Sequence, residues 1–237
     1  IDRRTISLFI EAGHSAILST AAPLPRFHAV LARSSGRMQA ASLAVLRQLE
    51  LLGAVSLNPA DALSLLAEPI RRAQELARAG LAAPALAVSF TGAGRKGGDD
   101  RMVAAGGELS LPAQAGRKHL RFLVIAGAAR AVMLRSDDAL ADDETAQAWL
   151  ADEVSRYAEA GHAAKAAAQA FRLGVAAVDV DLSSATPLVT DISPAPTLAL
   201  FERVAHIDAA GALIEAIEVA VAADVPLRSR ASPSGGR

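Results

Sequence analysis

Two pairs of short apolar runs, each pair joined by a tight turn, constrain this chain more than any other feature. The first pair is Leu120-Arg121-Phe122-Leu123-Val124-Ile125, then Ala126-Gly127, then Arg130-Ala131-Val132-Met133-Leu134-Arg135. The second is Val175 to Leu182 and Leu188 to Ser193, separated by Ser183 to Pro187. Runs of this length bounded by turn residues read as β-hairpins. Between them an acidic connector, Asp137 to Glu144, feeds a long Ala-rich stretch ending near Phe171, which reads as helical. Apolar residues make up 52% of the chain but aromatics only 3%, so Ala, Leu and Val must fill the core. That mix favours close-packed helices against a β-branched sheet, an α/β fold, and 237 residues are comfortable for two compact lobes.

The N-terminal part alternates helix and strand signals. Arg3 to Ala12 reads as a helix stopped by Gly13, with Ala16 to Ser19 and Ala29 to Ala32 extended after it. Leu43, Leu46, Leu49 and Leu52 repeat at helical spacing and end at Gly53, and Val55-Ser56-Leu57 is a short strand. Asn58 then reads as an N-cap, with Pro59 at the first helical position. Glu68-Pro69 interrupts that helix, and a new one runs from Ile70 to Ala79 with Gly80 as its stop. A strand is expected over Leu86 to Phe90, followed by a glycine-rich stretch without periodicity from Thr91 to Gln114. The last helix starts near Asp208, with Leu213, Ile214, Ile217 and Val221 on one face, and the tail from Pro226 is expected to be disordered.

Several classes of function are disfavoured. A formal charge of −1 gives no electrostatic reason for nucleic acid or an anionic membrane as partner. The absence of cysteine excludes disulfides, thiolate metal sites and a cysteine nucleophile. The five histidines are scattered without metal-ligand spacing, and no serine nucleophile motif is present. Neither a membrane-span pattern nor a signal-peptide pattern is seen, which predicts a soluble cytoplasmic protein. Gly92-Ala93-Gly94-Arg95-Lys96-Gly97 is a literal G-x-G-x-x-G, but a dinucleotide site needs a helix directly after it, and Gly98, Gly106 and Gly107 argue against one. A dinucleotide-dependent oxidoreductase is therefore the weakest of three readings. Lys96 and its loop could still touch a phosphate.

The second hairpin carries the chemistry. If Asp179 faces Asp191, the register is symmetric about Ala185 with a five-residue loop, and Asp181 and Ser193 share that face. Two carboxylates opposite one another repel, and a hard divalent cation would remove the penalty. Mg²⁺ takes one or two carboxylates plus phosphate oxygens. The plain alternative is a shifted register with one aspartate in water.

The runs Leu173-Gly174-Val175-Ala176-Ala177-Val178-Asp179, Pro187-Leu188-Val189-Thr190-Asp191-Ile192-Ser193 and His206-Ile207-Asp208-Ala209-Ala210-Gly211 resemble the C-terminal signature of RimK-type ATP-grasp ligases. In that signature a G-V-D is followed by a hairpin, an E-V-N and a G-I-D-I-A-G. The resemblance makes Asp179 and Asp191 the magnesium carboxylates, with Asp in place of Glu, and puts Ser193 where the family has an Asn ligand. Pro23 to Val30 and Ala44 to Gly53 look like the family's N-terminal domain. Asn58 and Leu76 to Pro84 match the start of the ATP-grasp domain. The hairpin from Leu120 to Arg135 is similar to D-I-R-x-x-V-x-G-x-x-V-A-A-x-x-R, with Arg121 and Arg135 at its arginines.

The resemblance implies an N-terminal α/β pre-ATP-grasp domain over residues 1–58 and an ATP-grasp domain of antiparallel sheet and helices over 59–225. Residues 91–117 would be a short or incomplete phosphate-loop region, and 226–237 a disordered tail. It further implies ATP and Mg²⁺ as cofactors, and an enzyme that joins a carboxylate to an amine through an acylphosphate, with an amino acid such as glutamate among the substrates. Arg121 would face the phosphoryl or carboxylate group. A homo-oligomer stays open.

Departures cluster at function. Glu68-Pro69 stands where the family has Asp-Lys. No V-V-K-P, G-x-x-G-x-G-V or V-Q-E-F occurs between Phe90 and Arg117, and the Asn loop before the long helix is missing. So is a first strand before Ile1. Two readings follow: a degenerate, non-catalytic binding or partner protein, or a longer protein of which this chain lacks some segments. Loss of a central strand would cripple folding, which favours the second.

Overall fold

In a computed structural model, residues 6–12, 14–19, 22–33, 40–84, 86, 88–89, 103–104, 118–135 and 146–231 are described. The N-terminal part opens with β1 (Ile6–Glu11) and β2 (His14–Ser19), an antiparallel pair extended by β3 (Ala22–Pro23). The helix expected over residues 3–12 is thus a strand where it is described. Ile6, Leu8 and Ile17 lie on or against one small core while Phe9 and Ile10 are exposed. Residues such as Ile and Phe lose little in a pleated hairpin and gain little from a helix.

Strand β4 (Ala29–Leu31) runs parallel to β5 (Val55–Leu57), with α1 (Ala40–Leu51) between them. Gly53 closes the helix at φ 99°, a conformation that favours glycine. Helices α2 (Ala60–Ala67) and α3 (Pro69–Arg78) follow, broken at Glu68 as the proline predicts, and Gly80 turns the chain at φ 69°. The expected strand near residue 88 is represented by β6 (Val88–Ser89), which pairs with β7 (Val103–Ala104). The rest of the glycine-rich stretch, Lys96 included, lies outside the described residues.

The main body is a five-stranded antiparallel sheet. Its members are β8 (His119–Ile125), β9 (Ala128–Arg135), β10 (Trp149–Asp152), β11 (Val175–Asp181) and β12 (Leu188–Ser193), in the order β10-β9-β8-β11-β12. Both expected hairpins are present. Strand β10 and two single-turn 3₁₀ segments replace the first part of the expected helix, and α4 occupies only Ala158–Ala170. Pairing of β10 with β9 buries Trp149, and that tertiary gain outweighs the alanine-rich composition around it.

The two faces of the sheet differ. Phe122, Val124, Val132, Val178 and Val180 pack against Ala164, Ala167 and Ala168 of α4 and Leu65 and Leu66 of α2. On the opposite face Leu123, Ile125, Met133, Val175 and Ala177 pack under α5 (Leu198–Ala205) and α6 (Ala209–Ala231). Helix α6 continues through Pro226 to Ala231, into the tail expected to be without structure.

Asn58 joins the N-terminal part to this sheet. The sequence pattern predicts a helix cap here, but Pro59 holds that position, and the Glu50 carboxylate accepts from the Ala60 N–H at the start of α2 (2.8 Å). Asn58 is instead fully buried. Its Nδ2 donates to the carbonyls of Val175 (2.7 Å) and Pro194 (2.8 Å), while its Oδ1 accepts from the Val175 N–H (3.0 Å). The amide thereby ties the start of β11 to the end of β12. Asn58→Ala should lower unfolding free energy in a urea melt by about 3 kcal/mol, because buried backbone groups left without partners cost ~1–3 kcal/mol each. A loss below about 1 kcal/mol would mean that water replaces the amide.

Candidate active site

The polar groups gather where the second face of the sheet passes out from under α5 and α6. Side chains alternate along a strand, so β11 turns Ala177 and Asp179 to that face and Val178 to the other. Asp179 lies directly opposite Asp191 on β12 and Arg121 on β8. The register near the turn differs from the symmetric one. Asp179 pairs with Asp191, but Val180 pairs with Val189, so Thr190 is an extra, bulged residue and six residues rather than five separate the strands. The Thr190 hydroxyl donates to the Asp179 carbonyl at 3.3 Å. Ser193 lies opposite Ala177, two positions from Asp191 on the same face.

Asp179 is only 7% exposed and is gripped from β8. Arg121 Nε donates to Oδ1 at 2.7 Å and Nη2 to Oδ2 at 2.8 Å, a two-point pair, and His119 Nε2 stands 3.6 Å from Oδ2. Burial works to raise the Asp179 pKa. The hydrogen bonds and positive charge of Arg121 and His119 outweigh it and hold the carboxyl below the ordinary aspartate value. Asp191 goes the other way. Partial desolvation and the negative charge of Asp179 raise it, against the Ile192 N–H, Arg72 and Arg121. Arg72 Nη1 stands 3.6 Å from its Oδ1, and 57% of its side chain is open to solvent.

Beside this pair Trp149 lies buried, with the Arg121 guanidinium 4.5 Å and that of Arg135 5.4 Å from its ring centroid. Asp181 is held in the turn by the Ser183 N–H (2.6 Å) and hydroxyl.

Two carboxylates facing one another, one paired to arginine and the other exposed with a raised pKa, fit a divalent cation that would neutralise their repulsion. Among the described residues no cluster of three or more His, Asp or Glu forms a metal cage. Among the described residues the donor set is these carboxylates and a hydroxyl, which suits Mg²⁺ when water and phosphate complete its shell.

Residues 1–63 match the sequence family described as the RimK PreATP-grasp domain. Among curated proteins none matches the sequence significantly. Solved structures share the fold. The ATP-grasp ligase PsnB, complexed with minimal precursor, Mg and ADP, is 18% identical, with a TM-score of 0.62 over 92% of this chain and 84% of that one. A RimK domain ATP-grasp protein from Sphaerobacter thermophilus is 20% identical, with a TM-score of 0.56 over 84% of each chain. The macrocyclase MdnC from Microcystis aeruginosa, bound with its precursor peptide MdnA, is 12% identical, with a TM-score of 0.57 over 93% and 88%. The architecture is that of the ATP-grasp proteins. The sequence match covers residues 1–63, and the fold over most of the chain is shared with ATP-grasp proteins, a RimK domain protein among them.

The structure thus brings Asp179, Asp191, Arg121 and Ser193 onto one face. Three further residues escaped sequence reasoning. His119 stands two positions before Arg121, and strand alternation would have placed it beside the site. Trp149 was hidden by its alanine-rich surroundings. Arg72 reaches Asp191 only through tertiary packing, and no local pattern announces it.

The opposite shifts give a test. Asp179 contributes stability above the ordinary aspartate pKa, lost as pH falls through its depressed value. Ionised Asp191 subtracts stability as pH rises through its raised value. Without metal, Asp191→Asn should therefore leave stability unchanged or raise it by a few tenths of a kcal/mol, since the exposed Arg72 pair that it loses is weak. A loss of roughly 1–3 kcal/mol in thermal or urea melts would show that Asp191 accepts structural hydrogen bonds instead.

Proposed function

We propose that the protein is an ATP-dependent carboxylate–amine ligase. The observation that carries this reading is the register that sets Asp179 against Asp191 with Arg121 alongside, in a fold shared with ATP-grasp ligases. In this reading a substrate carboxylate attacks the terminal phosphorus of ATP, giving an acylphosphate and ADP. An amine then attacks the acyl carbon, phosphate leaves, and the amine's proton passes to solvent. Asp179 and Asp191 would hold Mg²⁺, with Ser193 adding an oxygen, and the metal would supply charge neutralisation on the phosphates. Arg121 is placed to meet the transferring phosphoryl group or the carboxylate. The chain's contribution is positioning and electrostatics rather than covalent catalysis. The amine is an amino acid, with glutamate one candidate; the carboxylate belongs to a peptide or small acid, as the peptide-bound PsnB and MdnC illustrate. The domain division at residue 58 and a cytoplasmic setting belong to the same proposal. Among the described residues no helix is long and apolar enough to cross a membrane.

One observation favours a second reading, a nucleotide-binding partner protein without turnover. Pro69 begins α3 where the family carries a lysine, so one phosphate contact is missing.

Millimolar Mg-ATP should raise the melting temperature by about 5–10 °C if it reaches a hundred-fold excess over Kd, and ATP with EDTA by much less. No shift would remove both readings. A shift without ADP release across a panel of carboxylates and amino acids would favour the second. Arg121→Ala should weaken the Mg-ATP shift and remove any ADP release.

A further inference from the structure

We infer that Trp149 is a positioning residue, whose indole face holds the Arg121 guanidinium in the orientation in which it pairs with Asp179. A guanidinium bound at its edge by a carboxylate can still pivot about that edge. Here the edge is bound by Asp179 at 2.7 and 2.8 Å, and the carbon of the same group lies 4.5 Å from the Trp149 ring centroid. The two contacts act from different sides and together leave the group little freedom. Arg135 lies 5.4 Å from the same centroid, so the ring is shared by two cations. The π-face of an indole attracts a cation at this range, more strongly than tyrosine or phenylalanine.

The identity of the residue supports this role over mere filling of the core. Trp149 is 2% exposed, and its Nε1–H finds no hydrogen-bond partner among the described residues. A buried donor without a partner is unfavourable, so a phenylalanine or leucine would serve a purely apolar position better. What tryptophan adds is its ring face, and that face carries Arg121. Strand β10 thereby contributes to the site, although it lies two strands away from β8. If a divalent cation and phosphates were to engage Asp179, Arg121 would be able to exchange part of its carboxylate pairing for a phosphate or substrate oxygen. Trp149 keeps the guanidinium in place through that exchange. This last consequence rests on the ligase reading; the contact itself does not.

The chain has one tryptophan, so biosynthetic replacement by 5-fluoro-, difluoro- and trifluorotryptophan alters Trp149 alone and nearly isosterically. Fluorine withdraws electron density from the ring face and weakens its hold on a cation step by step. The Mg-ATP Kd should rise in the same steps, by roughly two- to thirty-fold over the series, with an unchanged far-UV circular dichroism spectrum. In an Arg121→Ala background the series should be flat. Trp149→Phe should fall within the series and Trp149→Leu beyond it. A constant Kd in the fluorinated proteins, while Arg121→Ala still weakens binding, would overturn the positioning role and leave the ligase reading intact. A second readout needs no nucleotide. The Arg121 Nε–H, assigned by its loss in Arg121→Ala, should give a ring-current-shifted NMR signal protected from exchange, and fluorination should reduce the protection. If Mg-ATP does not bind at all, reduced protection upholds the contact while the ligase reading falls, and undiminished protection overturns the inference.

Discussion

Strand Val175–Asp181 is buried along its whole length, yet it carries two aspartates. Most of the surrounding structure follows from that conflict. Its apolar residues need cover on both faces, which α4 supplies on one and α5 with α6 on the other. Its carboxylates need partners, because an ionised group removed from water without one is strongly unfavourable. Asp181 finds them locally, in the Ser183 N–H and hydroxyl, and Asp179 finds them on the neighbouring strand in Arg121. The second face is consequently divided along its length into an apolar half under the helices and a charged half beyond them. Asn58 secures the apolar half at its end, bonding Val175 and Pro194 together.

Within the charged half the two facing aspartates are electrostatically unlike. Asp179 is committed to its ionised form by Arg121, and that fixed negative charge helps to push Asp191 towards holding its proton. One carboxylate is held towards its charged form and shielded; its neighbour is exposed and gains from any cation that arrives. A pair of equivalent, fully exposed aspartates would offer a weaker and less directional field, because water would screen both. Arg72 compensates Asp191 only loosely, at 3.6 Å and with much of both side chains in solvent, so a stronger cation has little to displace.

Legibility in the sequence followed the range of the interactions. The two hairpins, the Glu68–Pro69 break and the glycine stops at Gly53 and Gly80 depend on neighbours in the chain, and they were readable. The Asp179–Asp191 pairing was readable too, since it needed only alternation and a short loop. Misreadings arose where long-range contacts decide. Arg3–Ala12 looked helical, but Ile6–Glu11 is held as a strand by pairing with His14–Ser19. Trp149–Asp152 became an edge strand because β9 was available to pair with it. Asn58 satisfied every local criterion for a cap, while its actual partners lie more than a hundred residues away. The contacts of Arg72 and Trp149 are likewise a property of the packed molecule.

The bulge at Thr190 has a consequence for how this edge of the protein can change over time. In a regular strand, positions 189 and 191 would face the same way. With the extra residue between them, Val189 enters the core beneath α4 while Asp191 faces the opposite side beside Asp179. The hairpin is in effect two short ladders joined by a joint at a single residue. Insertions or deletions in the turn at 182–187 can slide the outer ladder, whereas the inner one, from Asp191 to Ser193, remains anchored by its own pairing to Ala177, Val178 and Asp179. Beyond Ser183, which holds Asp181, the turn is therefore free to diversify in length and sequence without moving Asp179 or Asp191, a separation of variable rim from fixed inner ladder that one additional threonine is enough to create.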